Sequence, residues 1–471
     1  MTGRSDAAPS ADSYSPSLRT ALVLNGTGTA GAYHAGVLRA LHEAGIKLDV
    51  VAGRGVGVIG ALFAAIDGAQ KLWEDRGFWR SRAVRAFYPW CAASRVVISA
   101  LVAAVAIVAL PLGVMAAGLV VFPLDFILKI VGLAGAPGLS GAYLRLAQAV
   151  FAPTGFATWL PRLVLLVAAV AGATAAIDGA LRARRRTRGS RWWRMVPAPL
   201  SAAGVADRCW QVLWELLRGA TGLQQPSSRD LAARYVELLA ENLGQPGFRE
   251  LVILAHDLDA RQDLLFVLAG DQRRRERTGR VAPRSEARRG EVVDLGGVGR
   301  DHLVDAVAAA LAIPLATEPH GITFSPDAYW RGETHRLCDR QAGLSRLLDE
   351  LIENGVEQLV VVSASPESPG PHALAAPPIG GRGRLGESLQ SAESASLRDA
   401  VRAASARTPR IFVIRPTHNP VGAFDFGGGY DDRSERPLPL DELMGRGYED
   451  AYHQFIEPVV GASGERVGQA Y

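Results

Sequence analysis

Residues Gly26-Thr27-Gly28-Thr29-Ala30-Gly31 follow a short apolar run, Ala21–Leu24, and precede a helical pattern from Ala32 to Ala44. Glycines at this spacing let backbone approach a ligand closely, and the bare N–H groups that open a helix favour negative charge. The spacing alone serves dinucleotides, phosphates and oxyanions equally. Other chemistry-bearing residues are scattered. His34, His256 and His335 each invite a general-base role, but each stands alone in sequence and reads as structural. Asp425-Phe426-Gly427-Gly428-Gly429-Tyr430-Asp431-Asp432 reads as a glycine turn with acidic capping after the strand Ile411–Arg415. No H-x-x-x-H and no Cys/His cluster occurs, so no metal site and no cofactor are expected.

The elements around the glycines set the fold. Asp49-Val50-Val51-Ala52-Gly53 reads as a second strand, and Val56 to Ile66 as a second apolar helix. Strand, glycine loop, helix, strand, helix is the start of a parallel α/β sheet.

The stretch Leu22-Val23-Leu24-Asn25-Gly26-Thr27-Gly28-Thr29-Ala30-Gly31-Ala32-Tyr33-His34-Ala35-Gly36-Val37-Leu38, with Gly45 to Gly53 at its fitting distance, resembles the opening of patatin-like phospholipases. The resemblance implies a three-layer parallel-sheet α/β domain. It also implies an oxyanion loop at Gly26, Gly28 and Gly31, and a Ser–Asp dyad that hydrolyses lipid acyl esters. The nucleophile would sit in G-x-S-x-G, which here reads Gly53-Arg54-Gly55-Val56-Gly57, with Gly55 in place of the serine. Glycine carries no group that can attack a carbonyl. No other G-x-S-x-G occurs, and Ala30 stands where the family carries Arg or Lys. Leu251 to Asp259 is similar to the family strand ending in T-D-L, and Ala309-Ala310-Leu311-Ala312-Ile313-Pro314 to its A-S-x-A-I-P helix end. The family's aspartate falls at Arg331 when counted forward from Pro314, and at Asp339 when counted back from the strand Gln358–Ser363. Neither has D-G-G; the forward count, and with it a lost dyad, is preferred. The resemblance covers about residues 20–70 and 250–365.

Between the two halves lies the apolar excess. Val96 to Leu124 holds no formal charge and would make a helix roughly 43 Å long, against a hydrocarbon core of roughly 30 Å. Leu163 to Ile177, extended by Trp159, Leu160 and Pro161, is a plausible second span. Arg76, Arg80, Arg82, Arg85 and Arg95 precede the first. Arg182, Arg184, Arg185, Arg186, Arg188, Arg191 and Arg194, with Trp192 and Trp193, follow the second. By the positive-inside rule both flanks are cytoplasmic and the spans form a transmembrane hairpin. The alternative is a buried helical pair in a soluble protein.

Composition narrows the rest. The 471 residues have a mean hydropathy of +0.11 and a formal charge of +4. The 51 basic residues include only Lys47, Lys71 and Lys129 as lysines. So arginine-rich a chain reflects coding bias more simply than a nucleic-acid surface, and no nucleic-acid partner is expected. Cys91, Cys209 and Cys338 lie far apart and read as thiols in a reducing compartment. The expected organisation is a disordered tail over 1–18, an N-terminal half-domain over 19–95 and a hairpin insertion over 96–181. A basic membrane-flanking helical region over 182–249 and a C-terminal half-domain over 250–471, with a flexible loop at 366–396, complete it. A second arginine-dense stretch, Arg273 to Arg289, reads as a solvated loop.

The resulting expectation is an integral membrane protein with a cytoplasmic lipid- or acyl-ester-binding domain, lacking ordinary Ser–Asp hydrolysis. Membrane lipids, and a protein, are its expected partners. Two alternatives stand beside it. One is an acyl hydrolase with a displaced nucleophile, for which Thr27 and Thr29 are in the loop. The other is a dinucleotide-binding module in which Arg54 faces a 2′-phosphate.

Overall fold

The computed structural model describes residues 13–132, 138–152, 156–183, 198–219, 224–270, 290–369, 380–408 and 410–460. The chain divides into two units, residues 1–89 with 201–471, and residues 90–200.

In the larger unit a central sheet is built from β1 (Thr20–Gly26), β2 (Val50–Gly55), β3 (Glu250–Asp257), β4 (Gln262–Leu268), β5 (Val292–Asp294), β6 (His320–Thr323), β7 (Thr334–Cys338), β8 (Gln358–Ser363) and β9 (Ile411–Ile414). Its order is β5-β4-β3-β2-β1-β8-β9, with β7 on the end of β3 and β6 beside it. β3, β2, β1, β8 and β9 run parallel, as expected for a sheet covered on both faces. β4 returns antiparallel on β3. Alternate residues of β1 face opposite layers. Ala21 and Val23 join Leu344, Leu347, Leu351, Leu397 and Ala400 in one core. On the other face, Leu24 meets Gly57 and Gly60 of α2 (Gly57–Ala65), which packs beside α1 (Ala30–Glu43). This mixed α/β architecture, with a mostly parallel central sheet, is the expected fold class.

The sheet's parallel register carries the ends of β1 and β2 to one level, pairing Asn25 with Arg54 and Gly26 with Gly55. Both glycine motifs therefore emerge together at the carboxyl edge, where such sheets bind ligands.

Three sequence expectations are corrected in this unit. Residues 13–18 fall within the expected disordered tail, yet Tyr14 is buried. Its hydroxyl donates to the Lys47 carbonyl at 3.1 Å and its ring meets Phe455 edge-on. The Gln358 amide also donates to the Ser15 carbonyl at 2.6 Å. The loop expected over 366–396 is helical from Gly381, within a helix Gly381–Ser405. There Gly386, Leu389, Glu393, Leu397, Ala400 and Ala404 bury one face at three- and four-residue spacing, which outweighs the Ser and Gly content. Residues 203–242, expected to flank the membrane, form the helices Ala203–Leu217 and Ser228–Asn242 of the larger unit. Cys209, Trp210, Leu213 and Tyr235 are buried there, and the Tyr235 hydroxyl donates to the Leu62 carbonyl at 2.7 Å.

The smaller unit is helical: α3 (Ala92–Ile130), α4 (Leu139–Phe151) and α5 (Phe156–Ala183). α3, and residues 158–177 within α5, are long and apolar enough to cross a membrane. Leu101, Leu112, Leu119 and Leu165 are each more than three-fifths exposed. α3 and α5 pack directly against each other, as in the hairpin expected from the sequence, and α4, in the connection between them, packs against both. The Tyr143 hydroxyl donates to the Val114 carbonyl at 2.8 Å, and Ser140 donates to Asp125, which also pairs with Lys129 at 2.7 Å. A bridge between Trp90 and Leu200 joins the two ends of the unit. Arg184, Arg185, Arg186, Trp192 and Trp193 lie outside the described residues, as do 273–289.

Candidate functional site: a buried carboxylate pair and a filled glycine loop

Gly55 ends β2 with φ +58 and precedes α2. A β-carbon there would fall well inside contact distance of the Gly26 carbonyl oxygen, and 3.2 Å from Asp339 Oδ2. That carbonyl is held in place by the Val56 amide, which donates to it at 2.9 Å. The strand end of β1 thus closes over the ground a nucleophile's side chain would need.

The structure brings Asp339 to this point and leaves Arg331 elsewhere. Asp339 follows β7 directly, and its own amide donates to the Ala312 carbonyl at 2.7 Å. The A-L-A-I-P helix end and the aspartate are thereby tied together. Arg331 sits at φ +41 in the connection between β6 and β7, exposed to solvent. The forward count from Pro314 ends there because it assumes a shorter passage than the β6–β7 hairpin requires.

Asp339 does not face a hydroxyl. The Arg54 guanidinium donates from Nη1 to both Asp339 oxygens, at 2.9 and 2.8 Å. It donates from Nη2 to Glu393 Oε1 at 2.8 Å and from Nε to Asn25 Oδ1 at 2.8 Å. Arg54 is fully buried, Asp339 1% exposed and Glu393 3% exposed. Thr27 donates its hydroxyl to Glu393, and Ser365 does so at 3.4 Å. Burial raises Asp339 to about 6, opposed by Arg54 and reinforced by Glu393. Burial alone would lower the Arg54 guanidinium, but the two carboxylates more than offset it and raise its pKa. One cation between two buried carboxylates leaves the cluster short of positive charge.

The glycine loop is also engaged. Gly28 has φ +61, and a β-carbon there would collide with the Ala423 carbonyl. The Thr29 amide donates to that carbonyl at 3.0 Å, and the Thr29 hydroxyl to the Gly422 carbonyl at 2.9 Å. The segment Asn419–Phe426 is itself fixed. Gln390 Nε2 donates to the Val421 carbonyl at 3.2 Å, and Asn419 Nδ2 to that of Ala364 at 3.1 Å. Phe426 stacks on Tyr88 and meets Phe87 edge-on, while Phe424 lies under the Arg382 guanidinium. Gly31 is closed by Trp79, whose ring fills the space a β-carbon would take. The loop that the resemblance assigns to an oxyanion holds a carbonyl of its own chain.

The remaining sequence candidates are structural. His34 is buried, and burial lowers its ring to about 4, so it is neutral beside Asn25 and Arg54. His256 pairs with Asp263 at 2.7 Å and His335 with Asp257 at 2.5 Å, each at a strand pairing away from Gly55. In the glycine turn, the Gly422 amide donates to Asp425 and the Arg433 amide to Asp431, as expected for acidic capping. No group of three metal-binding side chains occurs among the described residues. Arg54, assigned to a 2′-phosphate in the dinucleotide reading, has its guanidinium committed to buried partners. Sequence reasoning misses Glu393 and the 419–426 segment. The glutamate's helical spacing with Leu389 and Leu397 is its one available signal.

A family model for patatin-like phospholipase matches residues 22–339, more than half of the chain, from β1 to Asp339. The chain belongs to the patatin-like phospholipase family. Among solved structures it is similar to VipD from Legionella pneumophila, at 13% identity and a TM-score of 0.30. That alignment covers 94% of this chain and 66% of VipD. No curated protein matches this chain significantly.

Proposed function

We propose that this chain is a membrane-anchored patatin-like domain that does not hydrolyse acyl esters through the family's Ser–Asp dyad. The observation that carries this reading is the pairing of Arg54 with Asp339 beside Gly55. The aspartate that would orient a serine is neutralised by a guanidinium, and the serine's place has no side chain. The Ala423 carbonyl on the Thr29 amide supports the same reading, because a donor spent within the chain stabilises no developing oxyanion. Full-length protein in detergent should turn over no acyl-ester substrate and take no label from a fluorophosphonate. Turnover that a Gly28 substitution abolishes would overturn the reading.

Anchoring rests on the exposed apolar surfaces of α3 and α5, which water would not tolerate and acyl chains would. Membrane lipids are therefore its first partners. The arginines before α3 argue for a larger unit on the cytoplasmic side. Protease added to oriented vesicles should cut the N-terminal tail and the 366–380 connection from one face; cleavage from opposite faces refutes this topology.

One observation favours a second reading. Thr27 gives its hydroxyl to the buried Glu393 carboxylate, a nucleophile-and-base pairing in the glycine loop. Covalent trapping and peptide mapping separate the two: label on Thr27 establishes a displaced nucleophile, and its absence leaves the pair a structural hydrogen bond.

A further inference from the structure

From Arg76 to Arg95 the chain carries five arginines and no acid, and the next acid is Asp125, inside α3. Arg80 is committed to Asp75 at 2.6 Å and to Asp441 at 3.4 Å. The side chains of Arg76, Arg82 and Arg85 are exposed and make no ion pair or hydrogen bond among the described residues. Their placement has a local cause. Residues 82–86 form a 3-10 turn in which Val84 is buried. Such a turn eclipses side chains three apart, so Arg82 and Arg85 share one edge while the valine between them anchors the other. Seven residues after Arg85 the chain enters α3.

We infer that Arg76, Arg82 and Arg85 form a binding surface for the phosphate-bearing headgroups of anionic phospholipids. The proposal rests on the membrane reading above and adds a lipid class to it. Arginine forks match phosphate oxygens in pairs, and uncompensated arginines that precede a span in the sequence suit a phosphate layer by charge. A basic side chain near an anionic bilayer contributes roughly five-fold in association, so three together reach roughly a hundred-fold, falling steeply with salt.

The test uses full-length protein in phosphatidylcholine vesicles containing 20% phosphatidylglycerol, with spin-labelled phosphatidylglycerol or phosphatidylcholine as the reporter. Alkaline carbonate is applied first. Protein released by it overturns the membrane reading itself, before lipid selectivity is measured. For retained protein, the immobilised fraction should favour phosphatidylglycerol several-fold at 50 mM salt. The preference should collapse at 500 mM salt and in an R76Q/R82Q/R85Q variant with an unchanged melting temperature. Equal immobilisation of the two lipids, or a preference untouched by the triple substitution, would overturn the proposal. If the triple variant folds poorly, the single variants R82Q and R85Q must each lower the preference, or the proposal fails.

Discussion

The Asp339 carboxylate lies 3.2 Å from where a β-carbon on residue 55 would stand, and its partner is the guanidinium of Arg54. Residue 55 has no side chain to carry a hydroxyl. An arginine one position earlier reaches into the cluster from β2 and binds the aspartate together with Glu393, which comes from the helix Gly381–Ser405. The Gly26 carbonyl has closed over the remaining space.

Installing a serine at residue 55 should therefore fail to give a hydrolase. Gly55→Ser puts a side chain at φ +58 against the Gly26 carbonyl, so a loss of about 1–3 kcal/mol is expected. Thermal denaturation should show the destabilisation, and an acyl-ester assay on the folded fraction should remain silent. A stable Gly55→Ser protein with esterase activity would mean that the backbone reopens easily and that Asp339 is released by Arg54.

Arg54→Ala removes the guanidinium that two buried carboxylates share. Breaking a buried pair in this way costs about 3–5 kcal/mol, because the abandoned charge stays out of water. Adding Asp339→Asn and Glu393→Gln to Arg54→Ala should recover a large part of the loss. Denaturant midpoints across the single, double and triple variants measure the coupling.

The cluster also predicts a pH dependence of unusual sign for an acid. Asp339 sits at about 6 in the folded chain, above its ordinary 3.8, so between these values the folded state holds the proton more tightly. Its contribution to stability is complete below about pH 4 and lost as pH rises through 6. Relative to Asp339→Asn, the parent chain should lose stability on going from pH 4 to 7. An unchanging difference between the two melting curves would contradict this.

Gly28→Ala should unseat the 419–426 segment, since its methyl group would meet the Ala423 carbonyl at a positive φ. A loss of about 1–3 kcal/mol is expected. Limited proteolysis should then cut near Ala423 in the variant and not in the parent chain.

The sheet's opening is readable because its signals are local: two apolar strands, each ended by glycines that the next helix requires. That no serine stands between Gly53 and Gly57 is equally plain, as it needs only the identity of residue 55. The aspartate is not, because counting residues forward from Pro314 cannot foresee that the β6–β7 hairpin doubles back before Asp339. Arg54 is visible, but the role it suggests from sequence is a contact to a 2′-phosphate, since its partners lie 285 and 339 residues away. Glu393 is hidden by Ser- and Gly-rich neighbours that suggest a loop, although its own helical spacing with Leu389 and Leu397 is there. The buried Tyr14 shows the same failing, a single aromatic among polar residues whose anchor, Phe455, is almost a chain length away.

The strands β2 and β3 lie side by side in the sheet, yet Gly55 and Glu250 are separated by about 190 residues that include every apolar helix of the smaller unit. At about 5–20 residues per second of synthesis, the outer edge of β2 waits roughly 10–40 seconds for its neighbour. The partner on the other side of β1, β8, is made later still. During that interval a two-stranded, apolar ribbon is tethered beside the emerging helices with both edges open. Such a nascent chain depends on something to shield it, and it is in those seconds, rather than in the finished fold, that this protein is most exposed to aggregation.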